Sequence, residues 1–313
     1  MHRRRLGPTK VEVSRVVLGC GSFGGIGSAP EFFGAGESRD EAFALMDGAL
    51  ELGITSFDTA DAYGGGRSET WIGEWMRRTG LRPVITTKTF NPMDAGADRG
   101  LAPDRIERQL ASSLERLGVD AVDVYLAHEF DPETPLAETI TAFEAMLERR
   151  RIKAYGVSNF DAEQLRAALA IGRPAVVENS FSLLDRTDEA EVLPLCREHG
   201  IAYMAFSPLA GGWLAGRYRR DQEPSAGSRM ATRPEPYLHL WSEATFDSLD
   251  AFAAEAAARG VSAAALALAW VLAQPGVTAA IFGPRRREHL RPAVDASGLE
   301  LTADEADALA ALF

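Results

Sequence analysis

Cysteine is nearly absent from this chain of 313 residues: only Cys20 and Cys196 occur, which excludes a disulfide framework and a cysteine-rich zinc site and fits a reducing, cytoplasmic setting. Positive charge is in deficit, with 33 Lys and Arg against 45 Asp and Glu and a net charge of −12. That balance argues against nucleic acid or an anionic membrane as a partner, since both are bound through positive surfaces. Long apolar runs are missing too. The longest, Val261 to Ala273, falls short of the roughly 18 residues that a membrane span requires and reads as a buried helix. No apolar segment follows Arg3 to Arg5, so no signal peptide is expected, and no Pro/Ser/Gly linker or residue-level repeat divides the chain, so residues 1–313 are expected to form one domain. With 46% hydrophobic and 25% charged residues, there is material for a packed core and a disordered chain is excluded.

What is present is a rhythm. Short β-branched apolar runs occur at Val16–Leu18, Ile54–Phe57, Val84–Thr87, Val122–Leu126, Ala154–Val157, Ala175–Val177, Ala202–Ala205 and Thr278–Phe282. Segments of helical period separate them: Ile106, Leu110, Leu114 and Leu117 make one apolar stripe, and Ile140, Phe143 and Leu147 make another. Ser38 and Asp161 stand where N-caps belong, and Gly53, Gly118, Gly200 and Gly260 fall near helix ends. Strands without polar alternation, each followed by a helix, imply a parallel sheet covered on both faces. Eight such units predict a closed (β/α)8 barrel, with an open doubly wound sheet as the rival. A hairpin is expected over Arg4–Val13, and two extra helices over Ser242–Arg259 and Thr302–Leu312. Three long connections, Gly24–Ser38, Phe90–Ala102 and Leu209–Trp241, all follow strands, and loops gathered on one barrel face build a site.

Gly19-Cys20-Gly21-Ser22-Phe23-Gly24 matches G-x-G-x-x-G behind a strand, but Gly25, Gly27, Ser28, Ala29 and Pro30 follow, so no helix opens there to receive a pyrophosphate. The segment reads instead as a glycine-rich turn beside a ligand.

Chemistry gathers at three consecutive strand ends. Asp58 ends the second run, Lys88 the third and His128 the fourth; His128 alone among five histidines has that position. Strands about 4.8 Å apart bring these groups within roughly 10 Å at the C-terminal mouth, where Tyr63 can fold back over them. A lysine there must be paired or exposed. Tyrosine, with an ordinary pKa of about 10, holds a proton at neutral pH that a newly formed alkoxide can take. A lysine ammonium favours the resulting tyrosinate, an aspartate holds that lysine, and a histidine hydrogen bond orients the substrate oxygen.

The segments Phe57-Asp58-Thr59-Ala60-Asp61-Ala62-Tyr63-Gly64, Ser68-Glu69, Thr87-Lys88, Leu126-Ala127-His128 and Gly156-Val157-Ser158-Asn159-Phe160 together resemble the aldo-keto reductase superfamily. The resemblance runs from the hairpin to the last helix and implies a (β/α)8 barrel, NADPH, metal-free carbonyl reduction, and Asp58, Tyr63, Lys88 and His128 as the catalytic tetrad. It also implies that Ser158 and Asn159 hold the nicotinamide carboxamide. Glu178 stands at the usual Gln position, where it can accept a bond from the carboxamide and would add a negative charge that favours the oxidised cofactor. Phe206 matches the aromatic that stacks on the nicotinamide. Ser207, Pro208, Leu209 and Gly211 resemble the segment around the pyrophosphate, with Gly21, Ser22 and Phe23 in the facing turn, and Arg217 and Arg229 match basic positions in the loop that covers the cofactor. Gly283, Arg285, Arg286 and His289 follow the last strand at the opening of a helix, where the family holds the 2′-phosphate. His289, Pro292 and Ala293 depart from the residues usual around the adenine. Without a long C-terminal tail, substrate choice is expected from Phe32, Phe33, Phe90, Met93, Trp213, Tyr237 and Trp241 in the long loops. The expected activity is reduction of a small aldehyde or ketone; the alternative is an NADPH-sensing regulatory protein with little turnover.

Overall fold

A computed structural model describes all 313 residues. The chain opens with an antiparallel hairpin, β1 (Arg3–Arg5) and β2 (Glu12–Ser14), paired from Arg3–Ser14 to Arg5–Glu12. Then follow β3 (Val16–Gly19), α1 (Arg39–Glu51), β4 (Ser56–Asp58), α2 (Arg67–Thr79), β5 (Val84–Thr89), α3 (Pro103–Leu117), β6 (Val122–Ala127), α4 (Leu136–Glu148), β7 (Ile152–Ser158), α5 (Ala162–Ile171), β8 (Val176–Ser180), α6 (Val192–His199) and β9 (Ala202–Phe206). A long segment carrying the short α7 (Arg229–Thr232) leads to α8 (Glu243–Ala258), α9 (Ala263–Ala273), β10 (Val277–Phe282), α10 (Arg291–Gly298) and α11 (Ala303–Ala310). Strands β3 to β10 close into one parallel barrel in the order β10-β3-β4-β5-β6-β7-β8-β9. All eight apolar runs are therefore barrel strands, and the open sheet is excluded. α8 and α11 are the two extra helices.

Local sequence explains the element ends. Ser38 and Asp161 cap α1 and α5 with reciprocal bonds to Glu41 and Gln164, so both ends of each capping box are satisfied. α3 and α6 stop at left-handed Gly118 and Gly200. Side chains of β6 alternate: Tyr125 packs outward against Phe143 of α4, while Val124 and Leu126 point into the barrel. The large core lies between barrel and helices. A smaller one, including Val17, Val124, Leu126, Val176 and Met204, fills the barrel and is closed from below by Leu6, Val11 and Val13 of the hairpin. No single helix is long and apolar enough to cross a membrane; α9 is almost entirely buried.

The loop after β3 carries only a short turn at Pro30–Phe32 before α1, so the glycine motif opens no helix. At the other end of the chain, the arginine run departs from expectation. A single 3₁₀ turn (Arg287–Leu290) follows it, and α10 starts only at Arg291.

A polar layer supports the turn that carries Tyr63. The Asp61 backbone N–H donates to Lys88 O at 3.0 Å, and Glu69 accepts from Thr87 and from Arg116 Nε at 2.7 Å. The Asp61 carboxyl is buried without a hydrogen-bond partner. Burial, reinforced by Glu69, raises its pKa from 3.8 to about 7. The folded state thus binds a proton that the unfolded chain has released between about pH 4 and 7, so stability falls as pH rises through that window. Asp61→Asn removes this proton uptake. Its stability relative to the parent should rise by on the order of 4 kcal/mol from pH 4 to 7 and then level off. Denaturant midpoints of both proteins across this range test it; a difference independent of pH would show that Asp61 does not titrate with folding.

Candidate active site

At the barrel mouth Lys88 is fully enclosed. Its Nζ donates to Asp58 Oδ1 at 2.6 Å and Oδ2 at 2.8 Å, and to Thr59 O at 3.0 Å. Tyr63 OH lies 3.5 Å away. Adjacent strands account for the first contact, because Asp58 pairs with Thr86 in the β4–β5 register, two residues before Lys88. A second carboxyl arrives from across the barrel: Glu178 Oε1 of β8 is 3.1 Å from Nζ. Burial opposes the ammonium, but Asp58 and then Glu178 outweigh it and hold Lys88 above the ordinary lysine value. Burial followed by the charge of Asp58 raises Glu178 well above the carboxylate range. One ammonium balances one carboxylate, so Glu178 is the carboxyl that keeps a proton. The free negative charge suggested by its sequence position is therefore not available, and the bias toward oxidised cofactor loses its basis. A protonated carboxyl has one donor and one acceptor, the same complement that an amide offers.

Burial raises the Tyr63 hydroxyl, with Asp58 and Glu178 adding to the rise and Lys88 opposing it, so the phenol stays protonated. His128 meets the Tyr63 ring edge to face, with centroids 5.6 Å apart. Burial and then Lys88 push its imidazole well below the usual range, so it is neutral. Gly21 lies over the Tyr63 ring: a Cβ there would reach Cε2 at 3.5 Å. Asn91, which the sequence reading missed, places Nδ2 3.3 Å from His128 Nδ1.

Next to the tetrad, Ser158 is buried at the end of β7, and Asn159 Nδ2 donates to His128 O at 2.9 Å, leaving Oδ1 as the open end of the amide. Four non-glycine residues have left-handed backbones, and three of them, Asn159, Ser207 and Ala210, lie in the mouth segments after β7 and β9. Such strain gathers where a ligand is bound. Phe206 ends β9, partly buried. Pro208 follows, Leu209 leans on the core, and Tyr237 packs so closely on Gly211 that a Cβ at this glycine would approach its ring at 2.6 Å. Several arginines lie within electrostatic reach of one another. Arg229 is lowered by burial and feels Arg285 and Arg233, and His289 is lowered by burial and then by Arg217, Arg286 and Arg285. Arg285 is already engaged: Nε donates to buried Glu37 at 2.9 Å, and Nη1 bonds Gly227 O. Arg286 is 71% exposed, and its one ion-pair partner is Glu288 at 3.8 Å. Gly283 is exposed.

Two expectations change. Phe23 is 1% exposed and belongs to the core, so only its backbone remains near the mouth, while Ser22 next to it accepts from the Glu37 N–H. Trp213 is fully buried among Tyr218, Trp241 and Phe246 and presents no ring to a substrate. Trp241 packs edge-on to Trp213 and Phe246, fastening the long segment to α8, and at 37% exposure keeps part of its ring open. Both tryptophans fall in a segment without helical or strand period, where sequence does not distinguish inward from outward. Phe33 and Met93 do border the Tyr63 turn, close to Gly65 and Gly66. Arg233 lies over the Phe32 ring at 6.0 Å, and Phe90 leans on the core at the start of its loop.

Residues 15–313 match the model of the aldo/keto reductase family. The chain is 36% identical over 314 residues to the uncharacterized oxidoreductase YrpG of Bacillus subtilis (strain 168), covering 95% of this chain and 91% of that protein. It is 31% identical to the NADH-specific methylglyoxal reductase of Escherichia coli (strain K12), over 98% of this chain and 96% of the other. The structure of the glycerol dehydrogenase AKR11B4 from Gluconobacter oxydans superposes with a TM-score of 0.86 at 28% identity, covering 99% of this chain and 94% of that one. With barrel, mouth and sequence in agreement over nearly its whole length, the chain belongs to the aldo/keto reductase family of oxidoreductases.

Proposed function

We propose that this protein reduces small aldehydes or ketones to alcohols with NADPH, Tyr63 serving as the general acid. The observation that carries the reading is the tyrosine hydroxyl 3.5 Å from a lysine ammonium that two buried carboxyls hold in place, beside a neutral histidine. A reduced nicotinamide, when bound, supplies the hydride. Asn159 Oδ1 and protonated Glu178 offer the acceptor and donor that a carboxamide needs, and the left-handed backbones at Ser207 and Ala210 and the glycine at 211 shape the adjoining groove. His128 donates to the carbonyl oxygen and orients it. Tyr63 passes its proton to that oxygen as negative charge develops there, because an alkoxide is more basic than a phenolate. Lys88 stabilises the tyrosinate through charge, and Asp58 fixes Lys88.

Tyr63→Phe should lower kcat by about 10²- to 10⁴-fold while NADPH still binds. Stopped-flow reduction and fluorescence titration measure the two quantities. A variant retaining more than half of the parent's chemical rate would remove Tyr63 from the proton-transfer role.

The converging arginines favour a cofactor with a 2′-phosphate, although a relative as similar as the methylglyoxal reductase is named NADH-specific. A charge-assisted bond to phosphate contributes about 1.5–3 kcal/mol, roughly tenfold or more in binding. Arg285→Ala with Arg286→Ala should therefore erode the NADPH over NADH ratio of kcat/KM. Arg286→Ala alone should account for most of the loss, since Arg285 is engaged by Glu37. An unchanged ratio in the double variant places the phosphate elsewhere, with Arg217 and Arg229 the next to test.

A further inference from the structure

We infer that Asn91 is a positioning residue that sets the tautomer of His128, donating from its side-chain amide to Nδ1 so that the imidazole proton sits on Nε2 and faces the substrate oxygen. The inference rests on the reductase reading for its consequence, but not for its geometry.

A neutral imidazole has one N–H and one bare nitrogen, and the hydrogen bond at one nitrogen decides which is which. Among side chains, His128 Nδ1 has a single hydrogen-bond neighbour, Asn91 Nδ2 at 3.3 Å. The structure turns the Asn91 NH₂, which only donates, toward Nδ1; with Nδ1 as acceptor the proton sits on Nε2. A flipped amide would present Oδ1 and hold the proton on Nδ1, an outcome that nitrogen shifts distinguish. A carbonyl oxygen only accepts. A histidine meant to orient it must therefore present an N–H, and in the neutral ring only one tautomer does so toward the substrate.

Asn91 is also held in place, which a passing contact would not need. It lies two residues past β5, and Pro92 restricts its backbone to extended conformations. Arg105 of α3, 3% exposed, clamps the surrounding loop from below. Its Nη2 donates to Asn91 O at 2.8 Å and Asp98 O at 3.2 Å, and its Nη1 to Thr89 Oγ1 at 2.9 Å and Gly100 O at 3.0 Å. A buried guanidinium spending three bonds on one loop and a fourth on the end of β5 fixes that loop against the histidine. Asn159 donates to the His128 carbonyl, so both the backbone and the ring of this residue are tied.

The test reads the proton directly. The ligand-free full chain is labelled with ¹⁵N-histidine, and His128 is assigned by its loss in a His128→Gln variant. Nitrogen shifts and two-bond couplings then distinguish an Nε2–H from an Nδ1–H ring. The parent should show Nε2–H alone. Asn91→Asp places an acceptor against Nδ1 and should move a proton onto that nitrogen; Asn91→Ala, a milder change, should leave a mixture of tautomers. In both variants kcat should fall roughly tenfold or more, with the NADPH dissociation constant within about twofold of the parent. An Nδ1–H ring in the parent, or an Nε2–H ring unchanged in both variants, overturns the assignment to Asn91. Tautomers that shift as expected in a protein whose parent form reduces no carbonyl compound support the positioning role and overturn the reductase reading instead.

Discussion

The mouth of this barrel is organised around one ammonium group with almost no access to water. Lys88 at 1% side-chain exposure needs opposite charge close by, which Asp58 provides from the neighbouring strand, while the protonated carboxyl of Glu178 adds a polar contact from across the barrel. Removing one partner of such a cluster leaves an uncompensated buried charge, a loss of several kcal/mol. The cluster also fixes where charge can appear next. Tyr63 stays a phenol chiefly because it is buried, yet Lys88 is the group that would meet a tyrosinate.

Much of this was legible in the sequence, for identifiable reasons. Apolar runs report barrel strands because both faces of a parallel sheet are covered, and Asp58, Lys88 and His128 announce themselves by standing where those runs stop. The partnership of Glu178 with Lys88 was not legible. It joins β8 to β5, which are not neighbours, and only closure of the barrel brings their side chains together. Asn91 and Arg105 were missed for a related reason. Arg105 precedes the apolar stripe of α3 and reads as a surface charge, although it points under a loop whose course no periodicity describes. Phe23 and Trp213, assigned to the cofactor and substrate walls, turned inward because aromatic residues in aperiodic segments pack wherever a cavity has their shape.

Loops, rather than strands, decide what the mouth admits. Phe33 and Met93 approach the Tyr63 turn from two different connections, and Tyr237 reaches Gly211 from a third. Arg285 then ties the first connection to the third through Glu37 and the Gly227 carbonyl. The strands thus hold the reacting groups at fixed separations, while the shape above them depends on a few contacts between segments that share no regular structure. Relatives with the same barrel and different names are what this division of labour leads one to find.

The hairpin at the start of the chain has a bearing on proton supply. Leu6, Val11 and Val13 seal the lower end of the barrel, and the interior above them is filled by apolar side chains such as Val124, Leu126 and Met204. Hydroxyls are present there too: Ser56 and Thr86 are buried two residues before Asp58 and Lys88 on the same strand faces, and Ser56 Oγ accepts from the Ser14 N–H of the hairpin at 3.1 Å. The hairpin nevertheless covers the lower end, so the mouth is the open side of the barrel. In the proposed reaction a phenol that has given up its hydrogen would recover it from that side, and reprotonation and departure of the alcohol would share one passage.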